Sequence, residues 1–171
     1  HGYVVSGAPR GEAGAFVQEA LRILFCESDR PPCGECRNCR IVAAQKHPDI
    51  LRVEPEKKSR AISIEQVRDL QKAVFQTSFA GSWKACVVMT ADRLVPAAAN
   101  AFLKTLEEPP ERSIFFLVTD APQALLPTIL SRCQRLTVSQ GQIDLPEAWR
   151  ADVVSVLRDP GGGALAAFSR G

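Results

Sequence analysis

The stretch "YVVSGAPRGEAGAFVQEALRILFC", residues 3–26, runs from an apolar segment through a glycine-bearing loop into an amphipathic repeat. Strand, loop, helix is the layout of a phosphate-cradling P-loop. A working loop reads G-x-x-x-x-G-K-[ST], in which backbone N–H groups wrap the phosphates, lysine neutralises their charge and the hydroxyl holds Mg²⁺. Gly7 and Gly11 keep the glycine character, but the lysine slot falls at or next to Ala13 and the hydroxyl slot at Gly14. Both functional side chains are missing. Glu12 adds a negative charge where polyphosphate would lie, so repulsion replaces attraction. The amides and dipole of the helix start remain, which leaves weak anion binding open.

A nucleotide site of this kind needs a second element, a carboxylate at the end of a buried strand that holds the metal or activates water. "KACVVMT", residues 84–90, reads as a strand covered on both faces, yet it ends in Met89 and Thr90. Neither side chain can serve as that acid. Asp92 and Asp120 follow strands and read as surface caps or loop charges.

Outward from these two segments the chain alternates strands and helices. Phe16, Ala20, Ile23 and Leu24 mark one face of a helix over 12–26, and a shorter helix is predicted over 37–45. "DILRVEP" (49–55) reads as a strand. "SIEQVRDLQKAVFQ" (63–76) opens with a capping box, Ser63 ahead of Gln66, and aligns Val67, Leu70 and Val74. "PAAANAFLKTLEE" (96–108) is a helix bounded by prolines, "SIFFLVT" (113–119) a buried strand and "RLTVS" (135–139) the last one. Five strands alternating with helices predict an α/β domain over 1–139 with a mainly parallel sheet. Residues 140–171 change grammar, with two short helices split by "DPGGG", and read as a small helical appendage. The chain opens at His1 without a methionine and closes on "FSRG", which predicts a segment of a longer polypeptide.

Composition excludes several classes. With 21 basic and 19 acidic residues the net charge is only +2, which argues against a dedicated nucleic-acid-binding domain. The basic run "EKKSR" (56–60) reads as a solvated loop. No apolar run approaches the roughly 20 residues of a membrane-spanning helix, and no signal-peptide pattern opens the chain, so the cytoplasm is expected.

Four of the six cysteines, Cys26, Cys33, Cys36 and Cys39, are spaced C-x6-C-x2-C-x2-C. Thiolates at such spacing can converge on one tetrahedral ion, and four of them fill its coordination sphere, which predicts a closed, structural zinc module over 26–39. Disulfides or redox cysteines are the alternative. Cys86 and Cys133 read as small buried hydrophobes.

"HPDILRVEP", "ISIEQVRDLQ", "AAANAFLKTLEEPP", "FFLVTDAPQALLPTILSRC" and the four-cysteine knuckle together resemble the bacterial clamp-loader AAA+ ATPase family of DNA polymerase III, over residues 3–138. Without the P-loop lysine and the strand-end acid, the chain resembles the non-hydrolysing, delta-prime branch of that family. The resemblance implies a P-loop NTPase-like (AAA+) fold, no bound ATP, and a shortened helical lid over 140–171. It implies assembly with motor (gamma/tau) and delta subunits into a loader that places the sliding clamp on primed DNA. It also matches Arg132, in "SRC", to an arginine finger that reaches the neighbouring subunit's ATP, and Thr119 to a sensor position left as a vestige. In "DPGGGALAAF" a glycine stands where the family's second sensor arginine is expected. Two other readings stay open: a motor-type ATPase with a divergent P-loop, and a zinc-dependent DNA-binding module.

Overall fold

The computed structural model describes residues 2–76, 78 and 83–138. The expected lid over 140–171, with the "DPGGG" segment, lies outside the described residues.

Five strands, β1 (Gly2–Ser6), β2 (Ile50–Val53), β3 (Lys84–Met89), β4 (Ser113–Thr119) and β5 (Gln134–Thr137), form one sheet in the order β2-β3-β4-β1-β5. Every pairing is parallel, with Val4 beside Leu117 and Leu117 beside Val88. The helices are α1 (Glu12–Phe25), α2 (Arg37–Ala43), α3 (Ile64–Val74), α4 (Pro96–Glu107) and α5 (Pro127–Leu130). α1 stops one residue short of its predicted end because Cys26 is already extended. α2 ends at Ala43, with Ala44 as its cap and Gln45 at φ 56.

All seven residues of β4 are buried, as expected of a strand covered on both faces. Its alternating side chains feed two cores. Ile114, Phe116 and Val118 pack with Val5, Val17 and Leu21 under α1, whereas Phe115 and Leu117 pack with Val4, Val67, Leu70 and Phe102 under α3 and α4. Helices therefore cover both faces. The capping box holds: Gln66 N–H donates to Ser63 Oγ at 3.3 Å and Ser63 N–H to Gln66 Oε1 at 2.9 Å. A short parallel bridge between Ile62 and Leu94 ties the start of α3 to the turn after β3.

From β1 the chain crosses to the far edge, winds back through β2, β3 and β4, and then steps over β1 to β5. The loop after β1 thus lies where the order reverses, at the carboxyl ends of the strands, the place where parallel α/β sheets hold ligands.

Candidate functional site

The loop between β1 and α1 is closed on itself. Ala8 N–H donates to Glu12 Oε1 at 3.0 Å, and this bond, with the N–H of Glu12 itself, holds the carboxyl below the usual carboxylate range. The side chain that stands among the expected phosphate donors therefore supplies its own anion. Gly14, in the first turn of α1, faces the carbonyl of Pro9 so closely that a Cβ would overlap it. The position of the P-loop hydroxyl therefore cannot carry a side chain unless the loop retracts. Gly11 N–H closes a turn onto Ala8 O at 3.0 Å, and Ala13 is fully buried against the sheet, where a lysine would have to be desolvated.

At the end of β3, Met89 is half-buried and Thr90 adopts φ 56, ψ 54, a left-handed conformation that is unusual for a β-branched residue. The turn it starts, Ala91–Arg93, brings Asp92 back under the sheet end. Thr119 Oγ1, at the end of β4, donates to Asp92 Oδ1 at 2.7 Å and accepts from Ala121 N–H at 3.0 Å. The Asp92 side chain is only 11% exposed and also pairs with Arg93 at 3.3 Å. The expectation of a surface cap or loop charge is corrected here: Asp92 anchors β4 to the turn after β3, a tie between distant segments that spacing does not reveal. Asp120 is exposed.

The four sulfurs of Cys26, Cys33, Cys36 and Cys39 all lie within 4.8 Å of one another and could hold one metal ion. Cys26 to Cys33 is 3.6 Å and Cys33 to Cys39 is 4.0 Å, close to the roughly 3.8 Å edge of a tetrahedron with 2.3 Å metal–sulfur bonds. No disulfide joins any of the four. The backbone is folded around them as N–H donors to sulfur: Ser28 and Cys33 N–H to Cys26 Sγ, both at 3.4 Å, Cys36 N–H to Cys33 Sγ and Cys39 N–H to Cys36 Sγ, both at 3.3 Å. Such donors disperse the charge of a thiolate set. Gly34, at φ 77, makes the left-handed turn between Cys33 and Cys36, and a Cβ there would also press on Arg22 Nη2. Cys36 caps α2 through its sulfur. Burial pushes its thiol up, but the N–H groups of Glu27 and Cys39 and the Cys39 and Cys33 thiols outweigh that and bring it down to about 6. Burial pushes Cys39 up to about 12, an ordering expected of adjacent thiols that share protons. Cys86 is buried and burial raises its thiol to about 12, while Cys133 is half-buried beside Gly2.

Arg132 follows the short helix α5. Nη2 contacts Glu107 Oε1, at the end of α4, at 2.6 Å, and Nη1 donates to Thr128 O at 2.9 Å. With 34% of its side chain exposed, the guanidinium sits at the surface rather than inside the core. α5 itself and the two single-turn helices, Ala91–Arg93 and Pro122–Ala124, are too short for periodicity to reveal.

Sequence reasoning missed a second feature of the sheet end. Arg52, on β2, turns its guanidinium toward α1, where Nη2 donates to Gln18 Oε1 at 2.7 Å. Its Nε is buried with no acceptor among the described residues. Desolvation lowers its basicity against the pull of Glu54. The only signal in the sequence is an arginine inside an otherwise apolar strand.

A parallel five-stranded sheet with helices on both faces, and a glycine loop at the reversal of strand order, define the P-loop NTPase-like AAA+ class. The model of the family described as "DNA polymerase III, delta subunit" matches residues 1–142, and the chain belongs to that family. It is 39% identical over 137 residues to the DNA polymerase III subunit delta' of Pseudomonas aeruginosa, covering 78% of this chain and 41% of that one. It is 32% identical over 161 residues to the subunit delta' of Escherichia coli, covering 93% and 48%. Among solved structures, a DNA polymerase III gamma subunit-related protein from Thermotoga maritima superposes with a TM-score of 0.59 at 25% identity, covering 90% of this chain and 48% of that one. The chain thus spans under half the length of these relatives. Among the described residues, no helix is long and apolar enough to cross a membrane.

Proposed function

We infer that this chain acts in a bacterial clamp loader as a subunit that does not hydrolyse ATP, and that it lends Arg132 to the ATP site of a neighbouring motor subunit. The observation that carries the reading is the contrast at the two ends of the domain. The nucleotide loop lacks lysine, hydroxyl and strand-end acid, and its own Glu12 engages the loop amide of Ala8. The arginine of "SRC" stands at the surface just after a short helix. A guanidinium supplied in trans stabilises charge on the transferred phosphoryl group, and in other systems is worth about 10³ to 10⁵ in rate.

In this reading the chain assembles with gamma/tau motor subunits and delta, and meets the sliding clamp and primed DNA through the assembled loader in the cytoplasm. Zinc on Cys26, Cys33, Cys36 and Cys39 orders the segment between α1 and α2 and takes no part in chemistry, because four thiolates leave no open position for water. The pressed loop at Gly14 speaks against a motor with a divergent P-loop, and the near-neutral charge against an autonomous DNA-binding module.

The test is a loader reconstituted with Arg132→Ala. Clamp- and DNA-stimulated ATP turnover is expected to fall sharply while the complex still assembles on gel filtration. Unchanged turnover overturns the finger.

A further inference from the structure

A divalent ion on four thiolates is a dianion. Two of the four ligands, Cys26 and Cys39, are buried, so part of that charge is held away from water, where an opposite charge nearby counts for more than it would at the surface. The knuckle's own side chains do not balance it. Glu27, Asp29 and Glu35 add negative charge, and the arginines of the same segment, Arg30, Arg37 and Arg40, are all exposed.

Arg22 meets the cluster from α1. It stands one turn before Cys26, and the i, i+4 spacing puts the two on the same side of the helix end. Its carbonyl oxygen lies 3.9 Å from Cys39 Sγ. Its guanidinium packs on the left-handed turn at Gly34, with Nη2 3.2 Å from the place a Cβ on that residue would take. The N–H of Gly34 donates to the Cys39 sulfur, so a single residue separates the guanidinium from a ligand. Nη1 holds Glu19 Oε2 at 3.0 Å, a turn farther back along α1, and the buried Nε has no acceptor among the described residues. Only 30% of the side chain is exposed.

We propose that Arg22 is the counter-charge of the metal–thiolate centre, and that its guanidinium, seated on Gly34, sets how tightly the knuckle holds its ion. This assignment rests on the zinc reading of the four cysteines and is independent of Arg132. A guanidinium suits the place because it stays charged when half-buried, is weakly hydrated and lies flat against a peptide. The ligands remain the four sulfurs; Arg22 acts on them through its charge and through the turn that carries the Gly34 N–H.

The test is the dissociation constant of Zn²⁺, measured on the whole chain by competition with a chromophoric chelator at fixed pH. The proteins compared are the parent, Arg22→Gln, Arg22→Lys, Glu19→Gln and, as an exposed control on the knuckle, Arg30→Gln. Arg22→Gln is expected to weaken zinc binding at least about tenfold, or roughly 1.4 kcal/mol, and Arg22→Lys, which keeps the charge, by about threefold or less. Glu19→Gln, which frees the guanidinium from its carboxylate, and Arg30→Gln should not weaken it. Arg22→Gln loaded with Co²⁺ should keep the parent's d–d spectrum, because all four sulfurs still bind. An arginine that merely packs would lower the thermal midpoints of the metal-free and zinc-loaded proteins together and leave zinc affinity unchanged. That pattern overturns the proposal, as does an equal loss of affinity in Arg22→Lys and Arg22→Gln, or in Arg30→Gln and Arg22→Gln. Glu19→Gln reads the site even if Arg22→Gln does not fold: weaker zinc binding there would mean that Arg22 serves the carboxylate instead. A parent that takes up no zinc overturns the metal reading and this assignment with it, whereas a parent and an Arg22→Gln that bind equally well overturn Arg22 alone.

Discussion

The guanidinium of Arg132 is held 2.6 Å from the carboxylate of Glu107, so the end of α4 fixes the side chain that follows α5. Both residues lie in segments on which the family resemblance rests, "LKTLEEPP" and "TILSRC". A half-exposed pair contributes little to stability, roughly 0 to 1 kcal/mol, so its value lies in orientation. Glu107→Gln should therefore leave the thermal midpoint nearly unchanged. In a reconstituted loader it should lower stimulated ATP turnover by less than Arg132→Ala does. A large loss of stability with full turnover would contradict a positioning role.

Gly14 makes a second prediction. Because a Cβ there would overlap the Pro9 carbonyl, Gly14→Ser must push the loop off the helix. Overpacking of this kind costs about 1–3 kcal/mol, measurable as a shift of the urea midpoint. The double change Ala13→Lys with Gly14→Thr should consequently fail to create Mg-ATP binding by calorimetry. Recovery of tight binding would show that the loop opens easily.

The cysteine cluster should carry one metal equivalent per chain by elemental analysis. Cys36→Ala removes both a ligand and the sulfur that caps α2. Metal content should fall, and the loss of stability should be at least the ~1 kcal/mol of a helix cap. The sheet, whose two cores do not depend on the knuckle, should survive as judged by far-UV circular dichroism. Unchanged metal content would exclude Cys36 as a ligand.

His47 supplies a pH dependence. It is buried against Phe25, with ring centroids 4.2 Å apart, and its Nδ1 accepts from Asp49 N–H at 3.2 Å. Desolvation, opposed by Asp49, lowers its pKa below the ordinary 6.5. The unfolded chain thus takes up a proton before the folded one. The stability from this group is complete above about pH 6.5 and is lost as pH falls through the folded value. His47→Gln should remove this part of the acid slope in urea denaturation, leaving any slope from the cysteines common to both proteins. Identical slopes would mean that folding leaves the His47 pKa unshifted.

The layered sheet was legible because β3 and β4 are uninterrupted apolar runs and because Ser63 and Gln66 announce the start of α3 at fixed spacing. The cysteine cluster was legible for a similar reason: its ligands are close in sequence. What escaped depends on contacts between distant segments. Asp92 reads as an ordinary acid after a strand until β4 brings Thr119 to it. Arg22 and Gly34 look unrelated until the turn between Cys33 and Cys36 closes against the end of α1.

Glu12 gives the loop after β1 a permanent tenant. In a motor subunit the corresponding loop would rearrange as triphosphate arrives and departs. Here bonds within the chain, Ala8 N–H to Glu12 Oε1 and Gly11 N–H to Ala8 O, hold its shape with no anion from outside.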